Sequence, residues 1–155
     1  MIQRVQTLYL LLIAGLSVAA MFLPLTYFST ANGELFNIYA VGVKTASGGE
    51  IQGTIYMMVL AAAAIIVPLI NVFLFKNRML QLRLCGIEGV VLVGNYAMIG
   101  AYTYLGTRAF EGVGVESVGF HPALFAPAAA IVLCVLAGKA ILSDELLVRS
   151  VDRIR

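Results

Sequence analysis

The sequence has no tryptophan, one histidine, two cysteines and only 12% charged residues. A soluble domain carries about 25% charged residues, so a chain this poor in charge, with 61% hydrophobic residues, does not have water as its main solvent. Its mean hydropathy of +0.98 points the same way. Cys85, Cys134 and His121 are too scattered for a zinc site, which needs clustered thiolate and imidazole ligands. Neither cysteine falls in a segment expected outside the spans, so a structural disulfide is not expected. There is no Gly-x-Ser-x-Gly, no His-Glu-x-x-His and no glycine-rich phosphate loop. Ser17, Ser29, Ser117 and His121 are left as isolated hydroxyl and imidazole groups, and neither an enzyme nor a cofactor is expected. The basic residues form no stretch interleaved with aromatics, which sets nucleic acid aside as a partner.

What is abundant is apolar length. A bilayer core about 30 Å thick needs about 20 mostly apolar helical residues per crossing. Four such stretches fit, at 8–28, 54–75, 84–105 and 122–142, with too little chain between them for a second domain. The expected architecture is an all-α four-helix transmembrane bundle in one domain, with the lipid bilayer as its first partner. The first stretch begins like a signal peptide, with Arg4 before an apolar run and the small pair Ala19-Ala20. That run continues through Met21, Phe22, Leu23 and Leu25, longer than a cleaved signal needs, so a retained span is expected.

Lys and Arg concentrate on the cytoplasmic side of membrane proteins. Arg4, Lys76, Arg78, Arg83, Lys139, Arg149, Arg153 and Arg155 fall on one side of the predicted spans, and only Lys44 and Arg108 on the other. Both termini and the 76–83 loop are therefore expected in the cytoplasm.

Outside the spans, Thr26–Ala31 and Glu34–Val41 flank Asn32-Gly33, a strong hairpin signal because both central residues of a type I′ turn need positive φ. Residues 44–53, with three glycines, read as a turn back to the membrane. The second outer loop, Gly106 to His121, has valines at 113, 115 and 118 and can add a strand to the hairpin. His121, before Pro122, is expected to cap the outer end of the fourth span. Residues 143–155 read as a separate short amphipathic helix N-capped by Ser143, with a Glu145–Arg149 pair. Its Leu147, Val151 and Ile154 would face the membrane or a partner, and Arg149, Arg153 and Arg155 would face anionic surfaces.

Inside the spans, Glu88 is the one acidic residue, and Asn95 and Tyr102 follow at seven-residue intervals on the same face. An intramembrane carboxylate suggests an ion path, but a single one at shallow depth more often pairs with a basic neighbour, here Lys139 first. Pro68 and Asn71 suggest a proline kink. Small residues four apart mark close helix contacts: Gly15/Ala19, Ala97/Ala101 and the ladder Ala126/Ala130/Cys134/Gly138.

Three stretches carry a resemblance: Met1-Ile-Gln-Arg-Val-Gln-Thr-Leu-Tyr-Leu10, Phe75-Lys-Asn-Arg-Met-Leu-Gln-Leu-Arg-Leu-Cys85, and Asp144-Glu-Leu-Leu-Val-Arg-Ser-Val-Asp-Arg-Ile-Arg155. Together they resemble a family of four-span inner-membrane proteins of bacteroidete bacteria, classified as a domain of unknown function. The resemblance implies an inner-membrane location and no activity. Claudin-like proteins are similar in architecture alone, since their tryptophan motif and loop cysteine pair are missing here. The expected function is a non-enzymatic subunit or assembly factor that docks another membrane or cytoplasmic protein, or a second copy of itself. A small oligomeric transporter or channel using Glu88 and Asn95 is the alternative.

Overall fold

The computed structural model describes residues 3–45, 48–74, 77–110, 112 and 114–152. Its first helix, α1 (Gln3–Phe22), stops just before Pro24, because proline lacks the N–H the helix needs and disfavours helical geometry in the residue before it. The expected span to residue 28 is therefore too long. Tyr27 and Phe28, inside that expected span, belong instead to strand β1 (Thr26–Thr30).

Three strands follow: β2 (Leu35–Ile38), β3 (Gly42–Thr45) and β4 (Glu50–Gly53). The hairpin at Asn32-Gly33 is present, but not as a type I′ turn. Gly33 has φ +78°, and no described non-glycine residue, Asn32 included, has positive φ. Gly33 N–H donates to Thr30 O at 2.9 Å and Thr30 N–H to Glu34 O at 3.0 Å. This is a three-residue loop with glycine in the left-handed position, the next most common hairpin connection. The same device closes β3 and β4, where Gly48 (φ +90°) donates to Thr45 O and Thr45 N–H to Gly49 O, each at 2.9 Å. In both loops the threonine hydroxyl also donates to the carbonyl that closes the turn. The loops read Thr30-Ala-Asn-Gly33 and Thr45-Ala-Ser-Gly48. The segment 44–53, expected as a simple return, thus supplies a second hairpin.

α2 (Ile55–Phe73) runs through Pro68 as one helix. α3 (Arg78–Ala109) has 32 residues, about 48 Å at 1.5 Å per residue, and outruns the expected 84–105 at both ends. Strand β5 (Val115–Phe120) then pairs antiparallel with β1, completing a five-stranded sheet in the order β4-β3-β2-β1-β5. The Tyr27 ring lies over its register partner Gly119, where any side chain would collide with it. A 3-10 turn (Pro122–Leu124) leads into α4 (Phe125–Asp152).

α4 corrects the expectation of a separate tail helix. It continues unbroken past Ser143, which is no N-cap, because neither glycine nor proline interrupts this stretch and Asp144 finds a partner on α3. Arg153, Ile154 and Arg155 lie outside the described residues, and so do the side chains of Arg149 and Val151.

α1 and α3 each pack on both α2 and α4, so the bundle is square with α1 and α3 on a diagonal. Four helices are long and apolar enough to cross a membrane. The sheet closes one end of the bundle. Beneath it Phe28, Phe36 and Phe110 stack with centroids 4.8–5.6 Å apart, joined by Leu25, Ile38, Met57 and Ile99. A second core, with Leu10, Ile13, Leu92, Ala137 and Ile141, fills the other half.

Candidate functional site

The buried face of α3 carries Gln81, Cys85, Glu88, Leu92, Asn95, Ile99 and Thr103. Glu88 and Asn95 therefore face the bundle interior as the spacing predicts. Tyr102 does not complete the stripe: it packs half-buried against the sheet-end core, and Thr103 takes the inward position. At 100° per residue, Thr103 lies about 40° from the direction of Ile99 and Tyr102 about 60° the other way, so the more central position falls to Thr103. Its hydroxyl donates to Ile99 O at 2.8 Å and stands 2.9 Å from the Thr26 hydroxyl, tying α3 to β1.

Glu88 is 1% exposed, and among the described residues neither carboxyl oxygen has a hydrogen-bond partner. The expected pairing with Lys139 does not form. The inward face of α4 is Ala130, Cys134, Ala137 and Ile141, while Lys139 is exposed. Two residues past Ala137 is about 200° around the helix, so Lys139 points away from the interior. Arg83, the basic residue five positions before Glu88 on α3, is exposed as well. The Ser17 hydroxyl on α1 and the Asn95 carbonyl oxygen are also buried without a described partner. Such atoms are costly in a low-dielectric interior and call for an explanation.

Other polar groups tie the helices together, although Asn71 Oδ1 is itself buried without a described partner. Asn71 Nδ2 donates to Gln81 O at 3.2 Å and Gln81 Nε2 donates to Asn71 O at 3.1 Å, a reciprocal clamp between α2 and α3. Gln6 Nε2 donates to Ala140 O at 3.1 Å across α1 and α4. Arg78 Nη1 reaches Asp144 Oδ2 at 3.2 Å and donates to Asp144 O at 3.1 Å, fastening α3 to α4 beyond the apolar span.

The loose hydroxyl and imidazole groups are dispersed. Ser29 and Ser117 face each other across β1 and β5 at 2.8 Å. His121 makes no cap bond with its side chain, contrary to expectation. Its ring instead meets Asn37 Oδ1 at 3.2 Å and leans on Tyr27.

The small-residue ladder of α4 holds: Ala130 and Cys134 are buried, and a Cβ on Gly138 would sit 3.7 Å from Cys85 Sγ. Gly15, Ala97 and Ala101 face outward instead. What the spacing did not reveal is that Cys85 and Cys134 meet, with sulfurs 3.6 Å apart. Both thiols are free. Among the described residues no group of three or more His, Cys, Asp or Glu side chains could hold a metal ion.

Residues 2–154, nearly the whole chain, match a family described as a domain of unknown function (DUF4293). The chain belongs to that family. No curated protein matches it. The matched residues include the sheet and all four helices.

Proposed function

We propose that this DUF4293 protein is a non-enzymatic multi-pass protein of the bacterial inner membrane. In this reading both termini lie in the cytoplasm, and the protein serves as a subunit or assembly factor that docks a protein partner on its cytoplasmic face. The orientation rests on the charge split: Lys44 and Arg108 belong to the sheet end, whereas Arg4, Arg78, Arg83, Lys139 and Arg149 lie on helices towards the opposite end.

One observation carries the docking reading. α4 runs on past Leu142, where the span was expected to end, as continuous helix tied to α3 by Arg78–Asp144, and it holds Leu142, Leu146 and Val148 exposed. Leu146 is 59% exposed. Lys139, Leu142, Ser143, Leu146 and Leu147 line an open groove of about 470 Å³ there. Apolar residues on a helix already formed and tied to its neighbour offer a preorganised contact face, which lowers the ordering cost of binding.

A photo-crosslinking side chain at Leu146 tests it in membranes. A discrete crosslinked protein, or a crosslinked second copy, supports docking and says which partner is used. Crosslinks to lipid alone overturn it.

The unpartnered Glu88 favours a second reading, a small oligomeric transporter or channel using Glu88 and Asn95. Ion flux in liposomes that Glu88→Gln abolishes would favour this reading over the first.

A further inference from the structure

The chain has only two cysteines, 49 residues apart on different helices, and the fold brings them face to face. Each thiol donates to the other residue's carbonyl oxygen at 3.2 Å, and the sulfurs stand 3.6 Å apart. A disulfide is about 2.05 Å long, so a short approach of two side chains would join them. Both are nearly buried, but they floor an open groove of about 300 Å³ on the perimeter of the bundle. Its other walls are Leu82, Gly86, Gly89, Val135 and Gly138. Val135 is 54% exposed, so the groove opens on the surface that lipid would cover.

The walls identify the ligand. Apart from the thiols, no side chain there can hydrogen-bond, which disfavours a charged or heavily hydrated oxidant. The three glycines leave the helix walls bare over the sulfurs, and a side chain at Gly86 would meet nothing within 4 Å. A flat, lipid-dissolved ring with carbonyl oxygens fits such a slot, because it can accept the S–H donors that now turn to peptide carbonyls. Ligand sites of this kind begin at roughly 300 Å³.

We propose that Cys85 and Cys134 form a redox-active pair that reduces a lipid-dissolved quinone seated in this groove. Two S–H bonds break and one S–S bond forms. The two electrons and two protons pass to the quinone, whose carbonyls become the hydroxyls of a quinol. The product disulfide staples α3 to α4 about 15 Å along the helix from Asp144, the anchor of the cytoplasmic face. The pair stands on its own geometry, whether or not that face docks a partner.

The test uses the full chain, reduced and reconstituted in liposomes, with a short-tailed ubiquinone analogue as probe. Quinone absorbance and alkylation mass spectrometry are the readouts. The expected result is one quinone consumed per chain, both cysteines lost to alkylation, a mass lower by two hydrogens, and full recovery with dithiothreitol. Cys85→Ser and Cys134→Ser should each consume none. Gly86→Leu projects into open space and so spares the fold while blocking the groove; it should slow the reaction about tenfold or more. Two thiols still alkylatable after quinone treatment overturn the proposal. So does oxidation by water-soluble glutathione disulfide as fast as by quinone, which would mean that the groove selects no oxidant.

Discussion

The two ends of this bundle solve different problems. At the sheet end the chain leaves its helices for loops, and irregular backbone must find partners for every N–H and C=O. It does so with five strands, two matched threonine–glycine turns and a stacked trio of phenylalanines. In the other half the helices satisfy their own backbone, and the side-chain ties among the described residues are scattered: Gln6 to Ala140, Asn71 with Gln81, Cys85 with Cys134, and Arg78 with Asp144. Buried groups there, Glu88 above all, are left without a described partner. The difference teaches where this protein can tolerate imperfection: structure is concentrated where lipid or water would otherwise face bare backbone, and chemistry is left open between helices.

The comparison breaks most easily at Phe36, 2% exposed and stacked on two other rings. Phe36→Ala should cost about 3–5 kcal/mol, measured by denaturant unfolding in detergent and followed by circular dichroism. A cost no larger than that of a change in the opposite half would show that the sheet is not the stronger end. The clamp offers that second measurement. Asn71→Leu leaves the Gln81 carbonyl without its donor and should cost about 1–3 kcal/mol in the same assay.

Glu88→Met should move the other way. Removing two buried, unpartnered oxygens and keeping an apolar side chain of similar length should raise stability by about 1 kcal/mol. A loss of that size would mean that the carboxyl has a stabilising partner, and the claim of an open half would fail. Stability gained together with activity lost would be the pattern of a group kept for function.

The four apolar helices were legible because hydropathy over 20 residues is a strong signal, and the first hairpin because Asn-Gly is one too. The limits of α3 were not, since helix continues through Arg78, Arg83 and Arg108, where apolarity ends. The second hairpin was hidden because Gly48, Gly49 and Gly53 read as loop, although Thr45-Ala-Ser-Gly48 repeats the first turn almost letter for letter. The unbroken α4 depends on Arg78, 66 residues from Asp144, and no local pattern reports such a distance.

For the site, the inward placement of Glu88 and Asn95 followed from helical spacing. The outward placement of Lys139 was available from the same arithmetic once Cys134 and Gly138 were assigned to the packed face. The thiol pair was beyond reach, because which helices are neighbours is decided only by the whole bundle.

The pairing of β1 with β5 has a consequence for how the four helices can be threaded. β1 follows the first crossing and β5 follows the third, so these strands can meet only if both crossings point the same way. A chain threaded with one helical hairpin upside down would leave β1 and β5 on opposite faces, each with an unzipped edge. β1 to β4 can assemble as soon as the first two helices are in place, but β1 stays open along one side until translation delivers residues 115–120. The sheet can thus close only when β1 and β5 emerge at the same end of the bundle.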